Sequence, residues 1–85
     1  MPQFLVEVYV ARADATAVEG CGGRARAAAD SARRSGVPIR YLRSILLPED
    51  ETCFLLYEAP SAERVEQTLR LARLPFERIS VSVDA

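Results

Sequence analysis

Cys21 stands in the stretch EGCGGRARAAAD, Glu19 to Asp30, where three glycines run into alanines and arginines. Such a stretch is open to three chemistries: a phosphate-cradling loop, a reactive thiol, or no chemistry at all in an imperfect helix. A phosphate loop needs a strand directly before it, a helix opening at the glycines and a Lys-Ser/Thr pair behind them. Here the glycines fall inside a helical pattern and no such pair follows. The stretch therefore reads as helix, with each glycine costing roughly 1 kcal/mol. That cost points either to a late helix start or to a close backbone approach. Cys21 lies on the apolar stripe and reads as a small core residue rather than a nucleophile. Cys53, in mid-strand, reads as buried and inert. The 32-residue spacing between the two matches no zinc or redox motif, so reduced thiols in a cytoplasmic protein are expected.

The other side chains that could do chemistry are scattered. Glu7, Tyr9, Tyr41, Arg43 and Arg78 form the candidate ligand-binding set, and Glu7 and Glu58 are the metal-ligand candidates. Carboxylates and guanidinium groups in one cleft would hold a polar ligand or a metal ion; they would equally make an ion-pair network that glues strands or subunits. Tyr9, Tyr41 and Tyr57 read as packed aromatics with a hydrogen-bonded hydroxyl. Glu49, Asp50 and Glu51 read as a solvated turn. The chain has no His, which removes the usual general base, the commonest transition-metal ligand and every His-based triad. No catalytic residue is assigned.

These residues have to be placed by one small domain, residues 1–85. Hydrophobic residues at 49% and charged residues at 27% are globular proportions. All 11 basic residues are Arg, yet the net charge is only −1, which favours neither nucleic acid nor an anionic membrane. No apolar run reaches the ~20 residues of a membrane span. MPQFLVEVYV has no basic n-region and carries Glu7, so it reads as a strand rather than a signal peptide.

Phe4 to Val10 alternates, with Phe4, Val6, Val8 and Val10 on one face and Leu5, Glu7 and Tyr9 on the other. Asp14 or Thr16 can cap a helix from Ala15 to Arg34, whose stripe is Val18, Cys21, Ala25, Ala28 and Ala32, with Gly36 as its stop. Strand two spans Ile39 to Leu47, with Ile39, Tyr41, Arg43, Ile45 and Leu47 sharing a face. The turn PEDE joins it to strand three, Thr52 to Ala59. Ser61 caps a second helix, Ala62 to Arg73, with Val65, Leu69 and Ala72 inward and Pro75 as its stop. FERISVSV is strand four, with Ile79, Val81 and Val83 on one face.

The order β-α-β-β-α-β predicts an α+β, ferredoxin-like sandwich: a four-stranded antiparallel sheet with two helices on one face. The apolar faces of strands one and four are expected to meet the helices. Strands two and three are apolar on both sides, which leaves their facing open. If Tyr41 and Arg43 join the open face, it holds Glu7, Tyr9, Tyr41, Arg43 and Arg78 among Leu5 and Ile45, with either Tyr57 or Glu58 from strand three. So mixed a face predicts a cover, and a second copy giving a homodimer, a dimeric α+β barrel, is the expected one.

MPQFLVEV, LPEDETCFLLYEAPSAERV and LPFERIS together resemble a family of small bacterial domain-of-unknown-function proteins (DUF4242-like) that includes nickel-binding members. The segment Cys53 to Val65 carries the strongest part of the likeness. The resemblance implies a ferredoxin-like fold, dimerisation through sheets, and nickel binding in some members. Nickel prefers imidazole nitrogen, which this chain lacks. Any retained site would use Glu7, Glu58, a thiol or backbone groups. Three readings follow: a small ligand- or nickel-binding homodimer without its own catalysis; a cofactor-free dimeric barrel enzyme, monooxygenase- or isomerase-like, acting on a small organic molecule; or an effector-sensing or assembly module.

Overall fold

The alternation at the N-terminus becomes β1, Gln3–Tyr9, in the computed structural model, which describes residues 1–84. Asp14 then caps α1, Ala15–Arg34, its carboxylate accepting from the Ala17 N–H at 3.0 Å. The helix runs unbroken through Gly20, Gly22 and Gly23, five residues and more past its start, so no phosphate loop forms there. It stops at Gly36, whose φ of +93° is open to glycine at little cost, and the Val37 N–H turns back to the Ala32 carbonyl. β2 follows at Arg40–Leu47. A short 3-10 turn, Pro48–Asp50, leads into β3, Thr52–Glu58. Ser61 caps α2, Ala62–Leu71, and β4 is Arg78–Ser82.

The sheet order is β2-β3-β1-β4 and every neighbouring pair is antiparallel. This is the ferredoxin-like α+β arrangement. Phe4, Val6 and Val8 of β1 and Cys53, Leu55 and Tyr57 of β3 point to the helices, where they meet Ala25, Ala29 and Ala32 of α1 and Val65 and Leu69 of α2. The alanines let α1 lie close to the sheet. Tyr57, wholly buried, keeps its hydroxyl satisfied by donating to the Ala25 carbonyl at 2.7 Å. Burial first, then the nearby Tyr41 and Cys53, pushes that hydroxyl above its ordinary pKa.

Three sequence expectations need correction. α2 ends at Leu71 rather than Arg73, because Arg73 adopts a left-handed φ of +55° and the Leu74 N–H folds back onto the Leu69 carbonyl, so the chain has left the helix before it reaches Pro75. The apolar face of β4 meets the helices only at Ile79; Val81, on this edge strand, is 67% exposed. Strand two does not keep one face. Tyr41 pairs with Tyr57 while Arg43 pairs with Leu56, so a bulge at Leu42 inverts the alternation between them. Ile39 and Tyr41 sit on the helix side; Arg43, Ile45 and Leu47 sit opposite Leu56, Phe54 and Thr52 on the open side.

Candidate functional site on the open sheet face

Register places the open-face residues in four rows across β2, β3, β1 and β4. Arg40, Glu58, Gln3 and Ser82 make the first; Arg43, Leu56, Leu5 and Ser80 the second. Ile45, Phe54, Glu7 and Arg78 form the third, and Leu47, Thr52 and Tyr9 the fourth. An apolar band of Leu5, Leu56, Phe54, Ile45 and Leu47 therefore crosses the face diagonally. Polar residues hold the two remaining corners.

Each corner is an ion pair. Arg78 Nε donates to Glu7 Oε2 at 2.6 Å, and Arg40 Nη1 donates to Glu58 Oε1 at 3.4 Å. Both carboxylates are mostly covered and both arginines mostly open, with side-chain exposures of 27% against 71% and 24% against 66%. The carboxylates lie in the sheet and the guanidinium groups lean over them from the edge strands. A pair so exposed on one side contributes at most about 1 kcal/mol. Beside the first pair, Glu7, Tyr9, Thr52 and Glu77 line a shallow hollow of about 140 Å³.

Of the expected ligand-binding set, the structure brings Glu7 and Arg78 into contact and leaves Tyr9 one row away and Arg43 one row away on the opposite edge. Tyr41 is not among them. The bulge turns it under the helices, where its hydroxyl hydrogen-bonds Ser44 Oγ at 2.7 Å, its ring meets Tyr57 edge-on and Arg26 lies over its face. Glu58, not Tyr57, is the strand-three member of the open face. Phe54, Leu56 and Arg40 went unnamed in the sequence. The alternation of β3 could have given the first two, but Arg40 needed the register of β2.

The metal candidates Glu7 and Glu58 stand two rows apart, on the order of 13 Å along the strands. Each is held by its own arginine. Among the described residues no three His, Cys, Asp or Glu side chains come close enough to enclose an ion. The described residues of one chain by themselves thus offer no closed site that fits nickel, which takes nitrogen or sulfur donors in a defined geometry.

Residues 4–81 match the family described as nickel responsive protein SCO4226-like. The chain belongs to this family. The match supports the nickel-related family of the resemblance, and not the DUF4242 designation in particular. No curated protein and no solved structure matches the chain. Among the described residues no helix is long and apolar enough to cross a membrane.

Proposed function

We propose that this member of the nickel-responsive family is a small cytoplasmic homodimer that binds a ligand or a metal ion between its two sheets and carries out no reaction of its own. The observation that supports the reading most directly is the half-covered apolar band Leu5–Leu56–Phe54–Ile45–Leu47, with an ion pair on either side of it. Both edges of the sheet have open arginines, and a bare face of this composition is unusual beside water. A second copy would bury the band, and its own corners would meet the first copy's arginines and carboxylates by two-fold symmetry. Each cleft end would then gather Glu7, Tyr9, Arg43 or Arg78 from one protomer with counterparts from the other. Such a site has acceptors for a hard or borderline ion and donors for a carboxylate or phosphate. The family description is what favours nickel among the ions.

The test is native mass spectrometry of tag-free protein titrated with nickel and, in parallel, zinc. The expected result is a dimer that takes up nickel at a fixed stoichiometry, with uptake lost in Glu7→Gln. A monomer at micromolar concentration would overturn the dimer. A dimer that stays metal-free would overturn metal binding and move the search to organic ligands of the same cleft.

A further inference from the structure

The two cysteines, distant in sequence and unremarked by any motif, meet in the fold. Cys21 Sγ and Cys53 Sγ lie 2.9 Å apart, within hydrogen-bonding contact of each other, and both are free thiols. Cys53 is in the central strand β3 and is wholly buried; Cys21 is in the second turn of α1 and is partly exposed. A narrow cleft of about 50 Å³ opens beside Cys21 between Ala17, Arg24, Leu74 and Pro75. A small reagent can thus approach one sulfur, while the second waits behind it.

We propose that Cys21 and Cys53 are a redox-active pair, which a small disulfide converts to an intramolecular Cys21–Cys53 disulfide that fastens α1 to the centre of the sheet. The Cys21 thiol gives its proton to water and the thiolate attacks a small disulfide, RSSR. A Cys21–S–S–R bond forms, the S–S bond of RSSR breaks, and RS⁻ leaves through the cleft. Cys53 then loses its proton and attacks Cys21 Sγ, expelling a second RS⁻ and closing Cys21–S–S–Cys53. The two thiolates released take up the two protons, so two electrons have passed from the protein to RSSR.

The order of the two steps follows from access and from charge. Only Cys21 can be met from outside. The Cys53 thiol is pushed up to about 12 by burial first, then by its hydrogen bond with Cys21 and by the charge there. Capping Cys21 as a mixed disulfide removes the last two causes and leaves an electrophilic sulfur within reach of Cys53, so Cys53 acts second. The helix around Cys21 is suited to the small movement that bonding needs. Gly20, Gly22 and Gly23 flank it, and a Cβ at Gly20 or Gly23 would meet nothing within 4 Å. Packing therefore does not require glycine at those two places, while the local helix is weakened by each. The switch depends on neither the sheet-to-sheet dimer nor a metal.

The test uses the full chain, reduced and then held in buffers of graded oxidised-to-reduced glutathione ratio. The expected product is a protein lighter by two hydrogens, with neither thiol open to alkylation, no retained glutathione and no intermolecular crosslink. Its thermal midpoint should rise by on the order of 10 °C, since the bond closes a loop of about 30 residues, and fall back on reduction by dithiothreitol. Cys53→Ala should stop the reaction at a glutathione adduct on Cys21, and Cys21→Ser should give no adduct in the folded protein. Retention of glutathione by the unmutated chain, crosslinked dimers, or two free thiols at every ratio would each overturn the proposal. Because Cys21→Ser changes a part-exposed residue, it keeps the test decisive even where the buried substitution fails to fold.

Discussion

The two faces of the sheet carry similar residues and do different things with them. On the helix side, Val6, Leu55 and Tyr57 are closed off entirely, and the buried Tyr57 hydroxyl reaches a carbonyl. On the open side, Leu5, Phe54 and Leu56 are only half covered, Ile45 is 43% exposed, and the acids are met by arginines leaning from the edges. The first face is finished within one chain, whereas the second is not. Apolar area is left over on a sheet that has already used both of its helices, and this is the physical reason for placing the proposed partner, and with it the proposed ligand, on the open side.

Leu55 and Leu56 are neighbours in β3 on opposite faces, and substituting each in turn gives the sharpest contrast. Leu55→Ala removes fully buried methyl groups from the core and should cost about 2–5 kcal/mol in urea unfolding, at any protein concentration. Leu56→Ala should cost less than about 1 kcal/mol in a monomer, with any further loss growing as the protein is concentrated. Equal, concentration-independent losses would erase the distinction between the faces. Phe54→Asp should leave the chain folded by circular dichroism but weaken the proposed dimer at least about tenfold in sedimentation velocity, because it puts a charge into the band between Ile45 and Glu7, with no cation directly across from it.

Polar groups give a second, smaller contrast. Tyr57→Phe removes the second hydrogen bond of the Ala25 carbonyl, which still accepts within α1, and should cost about 0.5–1.5 kcal/mol. Tyr9→Phe, at a 60% exposed position, should be silent in the isolated chain. A measurable loss of dimer affinity in Tyr9→Phe would show that its hydroxyl is used across the interface. The smallest effects test the backbone. Gly23→Ala should stabilise α1 by roughly 1 kcal/mol, as nothing stands within 4 Å of the new Cβ. Arg73→Gly should stabilise by up to about 1 kcal/mol by relieving a left-handed φ on a residue with a Cβ, and a calorimetric midpoint resolves either change. A destabilised Gly23→Ala would mean that the glycines serve a close approach in the assembled protein.

Elements with a single clean period were legible in the sequence. β1 alternates without interruption, α1 repeats its small residues every three or four positions between Asp14 and Gly36, and Ser61 announces α2. Their order alone implies the ferredoxin-like sandwich. Boundaries drifted by a residue or two because frayed ends carry little pattern, and the end of α2 was missed because an arginine, not a glycine, takes the left-handed position.

Of the candidate site, the sequence determined that Glu7 and Tyr9 share a face, since both lie on one uninterrupted strand. Only the tertiary structure decided what stands with them. One extra residue at Leu42 turned Tyr41 inward and Arg43 outward, and apolar residues on both sides of β2 had concealed the shift because either facing satisfied the pattern. Contact between Cys21 and Cys53, and the pairing of Glu7 with Arg78 across 71 residues, were likewise beyond local reading. Periodicity reports which way a side chain points from its own element; which side chains then meet is set by register and by the packing of a helix onto a sheet, and those depend on the whole chain at once.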